Sequence, residues 1–257
     1  MRILIKNKKT LLIIIIVAII IIISVIVSII LLRNKDKTEI IEEQSIDEGK
    51  MERQFDTMFN NKENDYVKTR FNIMDEDPGK FLINAHIPEV TLENEYAKQI
   101  NNEIQEIFIN KLIEILEQSE TYTIYNLDYC TEVNNDILSL AVKCVLKDGA
   151  NPQRTIIKTY NYNLEKGKLI EITDLVPEEK KEEIQSKINK RIEKEIKKEE
   201  TIIEQGYNVY RRNSESEVYK LENSTEFYMT EGNIIYIIYC YGNNNYTNEM
   251  DLIITKI

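Results

Sequence analysis

The sequence predicts an α+β protein: an N-terminal transmembrane helix, then mainly antiparallel sheets, each packed by a long helix. Three observations carry this reading. Residues 11–32 form one uncharged apolar run. Two later stretches, 91–118 and 178–200, place apolar residues at helical spacing. Around them lie short alternating segments bounded by turn signals, and connections so short join hairpins rather than crossovers.

The apolar run reads LLIIIIVAIIIIISVIVSIILL, 22 residues in which only Ser24 and Ser28 are polar. A bilayer core needs roughly 20 apolar residues as helix. Despite the Ile and Val, a helix is expected there, because in lipid it satisfies its own backbone. A signal-peptide core is shorter, about 7–15 residues, and precedes a small-residue cleavage site. Leu31-Leu32-Arg33 offers none. Arg2, Lys6, Lys8 and Lys9 precede the run with no acid among them, whereas Arg33, Lys35 and Lys37 are soon diluted by Asp36, Glu39, Glu42 and Glu43. The flanking cations place residues 1–10 in the cytoplasm as a stub and the remainder outside.

Charge divides the same way. The whole chain carries 33 − 44 = −11. Its first 32 residues hold four bases and no acid, so the remainder carries 29 − 44 = −15. Such acidity excludes a sequence-independent nucleic-acid binder. One His and three scattered Cys give no metal-ligand spacing, and no glycine-rich phosphate loop is present. No cofactor is expected.

Residues 33–64 are polar with scattered apolar positions and read as a stalk. Segments 66–74 and 81–88 alternate as strands around Asp75-Glu76-Asp77-Pro78-Gly79, and Pro88 ends the second. Next comes the first helix, capped by Thr91 or Asn94, with Tyr96, Ile100, Ile104, Ile107, Phe108, Leu112, Ile115 and Leu116 as its stripe. Segments 121–133 and 137–147 form a hairpin around Asn134-Asn135-Asp136. Strands 154–164 and 168–172 follow, each after a glycine-containing turn. Pro177 opens the second helix, whose thin stripe is Ile184, Ile188, Ile192 and Ile196. After an irregular stretch at 207–224 come strands 226–230, 234–241 and 249–255. The middle one, apolar on both faces, belongs at the centre of its sheet. The ectodomain thus divides into a subdomain at 65–165 and a second at 166–257.

Candidate chemistry is sparse. His86 shares a strand face with Leu82 and Asn84 and reads as structural or surface. Cys130 and Cys144 fall on neighbouring hairpin strands but out of register, so no disulfide is expected between them. Cys240 reads as a small core residue. Most tyrosines fall in strands, where the type is favoured. Tyr207, Tyr210 and Tyr219 lie in the irregular segment and are the candidate binding surface. The sequons Asn223-Ser224-Thr225 and Asn245-Tyr246-Thr247 are matched by chance in so Asn-rich a chain. The heavy use of Ile, Lys and Asn points to an AT-rich bacterial genome. No catalytic motif appears.

The order of motifs resembles a known family. A strand ends in Ile87-Pro88-Glu89-Val90 and is followed by Glu95-Tyr96-Ala97-Lys98-Gln99-Ile100-Asn101. Further on stand Gln153-Arg154-Thr155, Tyr160-Asn161-Tyr162-Asn163-Leu164 and Ile172-Thr173-Asp174-Leu175. The last are Phe227-Tyr228 and Ile237-Ile238-Tyr239-Cys240-Tyr241-Gly242. Residues 65–257 in this order resemble the RsiV/PdaC-like extracytoplasmic pair of domains of unknown function in Gram-positive bacteria. Such a pair forms the outer half of the lysozyme-sensing anti-sigma factors and precedes the catalytic domain of PdaC-type peptidoglycan deacetylases. Cys240 stands where that pattern has proline.

A stub of about ten residues is too short to hold a sigma factor, and the sequence given contains no metal-binding deacetylase domain. The resemblance therefore implies the wall-facing sensor module alone on a single-pass anchor. The expected partner is a cationic protein such as lysozyme, favoured by the −15 charge, or cell-wall glycan. The rival readings are a carboxylate-based glycan enzyme and an accessory subunit of another membrane protein. The sequence leaves the oligomeric state open.

Overall fold

The computed structural model describes residues 53–151, 153–206, 212–240 and 250–256. The run at 11–32 lies outside that range, as do the stub and most of the stalk. Among the described residues no helix is long and apolar enough to cross a membrane.

Two sheets carry the fold, and its class is α+β. The larger contains β1 (Val67–Asp77), β2 (Phe81–Val90), β3 (Thr123–Asn134), β4 (Ile137–Asp148), β5 (Arg154–Asn163) and β6 (Lys168–Leu169), in that spatial order. The smaller holds β7 (Glu226–Thr230), β8 (Ile234–Cys240) and β9 (Met250–Lys256), with β8 central. Ile235, Tyr236, Ile237, Ile238 and Tyr239 are all buried, as an apolar-on-both-faces strand requires.

Every described pairing is antiparallel except one. β2 and β3 run parallel, from Phe81↔Thr123 to Ala85↔Leu127. The expectation of hairpins without crossovers fails here for a simple reason. A helix long enough to span the sheet lies between the two strands and returns the chain to the starting edge.

That helix has three parts: α1 (Glu95–Ile104), a π-helical turn (Gln105–Ile109) and α2 (Asn110–Gln118). Asn94 caps it by accepting from Ala97 N at 2.8 Å. Its buried face is Ala97, Ile100, Ile104, Phe108, Ile109, Leu112 and Ile115. Tyr96 and Leu116, expected in this stripe, are 37% and 40% exposed. The wide π turn explains the change at Leu116: the extra residue rotates the following face, so Phe108 and Ile109 are both covered and the stripe continues through Leu112 and Ile115.

The β3–β4 hairpin closes at Asn135 and Asp136, with φ of 47° and 61°. Two consecutive left-handed residues match the right-handed twist of the strands, and Asn and Asp tolerate that region best after glycine. β2 runs on through Pro88 to Val90 instead of ending there. Pro88 stands opposite Thr69, where the register of β1 shifts, and such an irregularity accommodates the missing donor. The strand expected at 168–172 is shorter, because Ile172–Leu175 forms a helical turn, α3.

One core lies between α1–α2 and the larger sheet. It is built around Ile83, Ile87, Ile104, Phe108, Leu112, Tyr125, Leu127, Leu138 and Tyr160. A second lies between the smaller sheet and α4 (Lys181–Glu204), where Ile184, Ile188 and Ile192 meet Phe227, Met229, Ile235, Ile237 and Tyr239. Ile196, the last residue of the expected stripe, is partly buried at its margin.

Polar side chains join the sheets. Thr159 Oγ1 accepts from Phe227 N at 2.9 Å, and Asn161 Nδ2 donates to Phe227 O at 2.7 Å. Ser139 Oγ donates to Asn161 Oδ1 at 2.6 Å. The Glu226 carboxylate accepts from Thr159 N at 2.7 Å and pairs with Lys158. Side chains thereby satisfy Thr159 N on the β5 edge and Phe227 N and O on the β7 edge, although the two strands share no ladder.

The folded unit begins earlier than the 33–64 stalk suggests. A helical turn at 53–56 leads into a segment that packs on the domain, with Phe55 fully buried. A short segment with two aromatics and no period gives no strand or helix signal, so hydropathy alone does not assign it to the core.

Candidate functional site

The residues singled out by sequence do not converge. Tyr219 is 3% exposed, and its ring meets Tyr239 edge-on at 5.6 Å. It is a core residue, because the segment folds into two 3₁₀ turns, Glu217–Tyr219 and Leu221–Asn223, that turn it inward. Tyr207 and Tyr210 lie outside the described residues.

Cys130 and Cys144 are free and buried. Their ladder partners are Ala141 and Leu127, so the two cysteines are offset by three residues along the hairpin. Burial pushes both thiols up to about 12. A thiolate is therefore scarce at either site near neutrality.

His86 does share a face with Asn84 and Leu82, since all three alternate along β2. Its Nδ1 lies 3.1 Å from Asp128 Oδ1, an oxygen that also accepts from Asn61 Nδ2 at 2.8 Å. The parallel register of β2 and β3 makes this pair: Asn84 stands beside Asn126, and two residues on His86 meets Asp128. Asp128 holds the imidazole as an orienting carboxylate would. Among the described residues no hydroxyl or thiol is hydrogen-bonded to that ring, and no group of acids, His and Cys has metal-binding geometry.

Charge and exposed apolar area coincide elsewhere, on the outer face of α1–α2. Residues 93–120 hold seven acids (Glu93, Glu95, Glu103, Glu106, Glu114, Glu117, Glu120) against Lys98 and Lys111, or 2 − 7 = −5. Both lysines are already engaged, Lys98 with Glu95 at 2.8 Å and Lys111 with Glu114 at 2.8 Å. The Lys98 ammonium holds the Glu95 carboxyl below its ordinary range. On the same helix Ile113 is 43% exposed and Leu116 40%. Three residues apart, they adjoin on the surface.

The second long helix makes the contrast. Residues 181–204 hold seven acids and seven bases, net zero. Its charges are spent locally, as in Glu183–Lys187 at 2.8 Å and the Glu195 carboxylate between Arg191 and Lys198. An acidic helix that also exposes aliphatic side chains suits docking of a basic surface; a balanced helix suits solvent.

No family model matches the chain, and no curated protein does. Among solved structures it is similar to a DUF3298 family protein of Pseudomonas aeruginosa PAO1, with 12% identity over 73% of this chain and 87% of that one, at a TM-score of 0.41.

Proposed function

We propose that this chain is a single-pass, membrane-anchored binding module that displays its α+β domain outside the cell and takes a cationic protein as partner. The −5 charge of residues 93–120, which α1–α2 spans, together with Ile113 and Leu116 exposed toward its C-terminal end, is the observation that carries the reading. Long-range attraction brings a basic partner to that helix, and the exposed aliphatic pair supplies apolar area once water is expelled. The apolar run at 11–32 and its flanking cations support the anchor and its orientation. The sequence resemblance to the RsiV/PdaC-like pair supports lysozyme as the first cationic protein to try.

The test uses the full chain in lipid nanodiscs and hen lysozyme, with lysine-acetylated lysozyme as a charge-depleted control. The reading expects binding at low salt that weakens steeply as salt rises and is lost with the acetylated protein. Equal binding of both forms, or none at low salt, defeats it. Orientation is tested separately by labelling a C-terminal tag on intact cells.

A further inference from the structure

The surface beneath Phe55–Asn64 has the features of a peptide-binding site. Beyond Ala85↔Leu127 the described pairing of β2 with β3 stops, and the next outward-facing edge groups of β3 belong to Tyr129. Asn61 pairs with them where β2 no longer does. Its N–H donates to Tyr129 O at 3.0 Å, and its side-chain Oδ1 accepts from Tyr129 N at 2.8 Å. One residue in the left-handed region, φ 56°, thus completes a ladder rung with its own side chain. Asn61 Nδ2 reaches Asp128, and Asn64 Nδ2 donates to Thr131 Oγ1 at 3.1 Å. At the other end the Phe55 ring lies 5.5 Å from that of Tyr236, and Asp56 pairs with Lys143 at 2.7 Å. Lys143 also sits over the Phe59 ring at 4.8 Å.

Between these two attachment points Thr57 and Asn60 are exposed and Met58 and Phe59 are half-buried; past Asn61, the exposed Glu63 accepts from Thr69 N at 2.9 Å, and of the whole segment only Phe55 is fully buried. A short segment at the margin of the folded unit with a single fully buried side chain is of the kind that opens locally before the whole unfolds. Yet the surface below it is poor without an occupant. Tyr129 would expose a strand edge, Lys143 would lose its carboxylate, and Tyr236 its ring contact. Such an edge invites strand addition, with pockets setting the preferred side chains.

We propose that the β3 edge at Tyr129–Thr131, together with Lys143 and Tyr236, is a site for an extended peptide, closed in the resting chain by its own residues 55–64. The occupant it fits carries an aromatic residue followed by an acid, and an asparagine five positions after the acid. This site is separate from the acidic helix face and does not depend on the choice of partner there.

The probe is a fluorescent synthetic peptide of residues 53–66, offered to the full chain in nanodiscs. Phe55→Ala combined with Asn61→Ala should loosen the resident segment. The peptide is expected to bind that variant at least 10-fold more tightly than the wild-type chain, and a scrambled peptide is expected not to bind. Equal affinity for both chains, or equal binding of the scrambled peptide, overturns the proposal. Hydrogen exchange on the wild-type chain gives a readout that needs no variant. The Asn61 and Tyr129 amides should exchange at least 10-fold faster than that of Leu140 in the core of the sheet. Equal protection means that the segment does not open, and the proposal fails.

Discussion

Replacing Glu226 by alanine tests whether the two sheets are joined by the polar seam described above. The Glu226 side chain is 4% exposed, and its carboxylate serves three donors on β5: Lys158 Nζ, Thr159 N and Thr159 Oγ1. Removing it leaves the Thr159 N–H buried without an acceptor, worth about 1–3 kcal/mol. The Thr159 hydroxyl still bonds Phe227 N at 2.9 Å, so its loss adds little. Lys158 is 27% exposed and recovers water, which limits its share to about 1 kcal/mol. The sum is about 3 kcal/mol, which lowers Tm by roughly 6–12 °C at roughly 2–4 °C per kcal/mol. Thermal unfolding followed by circular dichroism gives the value. Glu231→Ala, at an exposed turn, is the matched control and should stay within about 0.5 kcal/mol. If Glu226→Ala shifts Tm no more than that control, the seam does not hold the sheets together.

Further outcomes follow from single residues. Gly149→Ala should destabilise by about 1–2 kcal/mol, because its φ of 51° disfavours a side chain and the new Cβ would lie 3.1 Å from Thr121 Cβ; urea titration checks it. Gly232→Ala, with positive φ but open space around it, should cost about 1 kcal/mol. Cys130 and Cys144 should resist iodoacetamide at pH 8 in the native chain and react in urea, as read by mass spectrometry. Their folded pKa values, pushed up to about 12 from an ordinary 9.0, imply that unfolding releases protons in this range. Stability should therefore fall as pH rises from 9 toward 12, a direction that buried Tyr125 and Tyr228 reinforce.

Sequence patterning reached the elements better than their relations. β8 was legible as a central strand because five successive apolar residues leave no polar face. The α4 stripe was legible from isoleucines four apart, and the β3–β4 turn from Asn135 and Asp136. Three features were not. The π turn at Gln105–Ile109 has no local signature, so the exposure of Leu116 follows only from the three-dimensional helix. The parallel β2–β3 pair depends on where a long helix returns the chain. Phe55 looked like one apolar residue in a polar linker, since its burial is decided by Tyr236, far along the chain. The candidate surface shows the same limit. Tyr219 lies in a segment without a period, and absence of a period does not mean exposure. The acid excess over 93–120 is present in the sequence, and the structure adds that both lysines there are already paired and that Ile113 and Leu116 are exposed beside it.

The most direct measurement compares two charge reversals in the full chain in nanodiscs, titrated with lysozyme from low to high salt. One variant carries Glu106→Lys and Glu117→Lys on α1–α2 and Glu120→Lys just beyond its end. The other carries three comparable reversals, Glu182→Lys, Glu193→Lys and Glu200→Lys, on exposed positions of α4. The account predicts that the first loses at least 10-fold in affinity and most of its salt dependence, whereas the second stays within a few-fold of wild type. Equal losses in both variants, or none in the first, would contradict a basic partner docked on α1–α2.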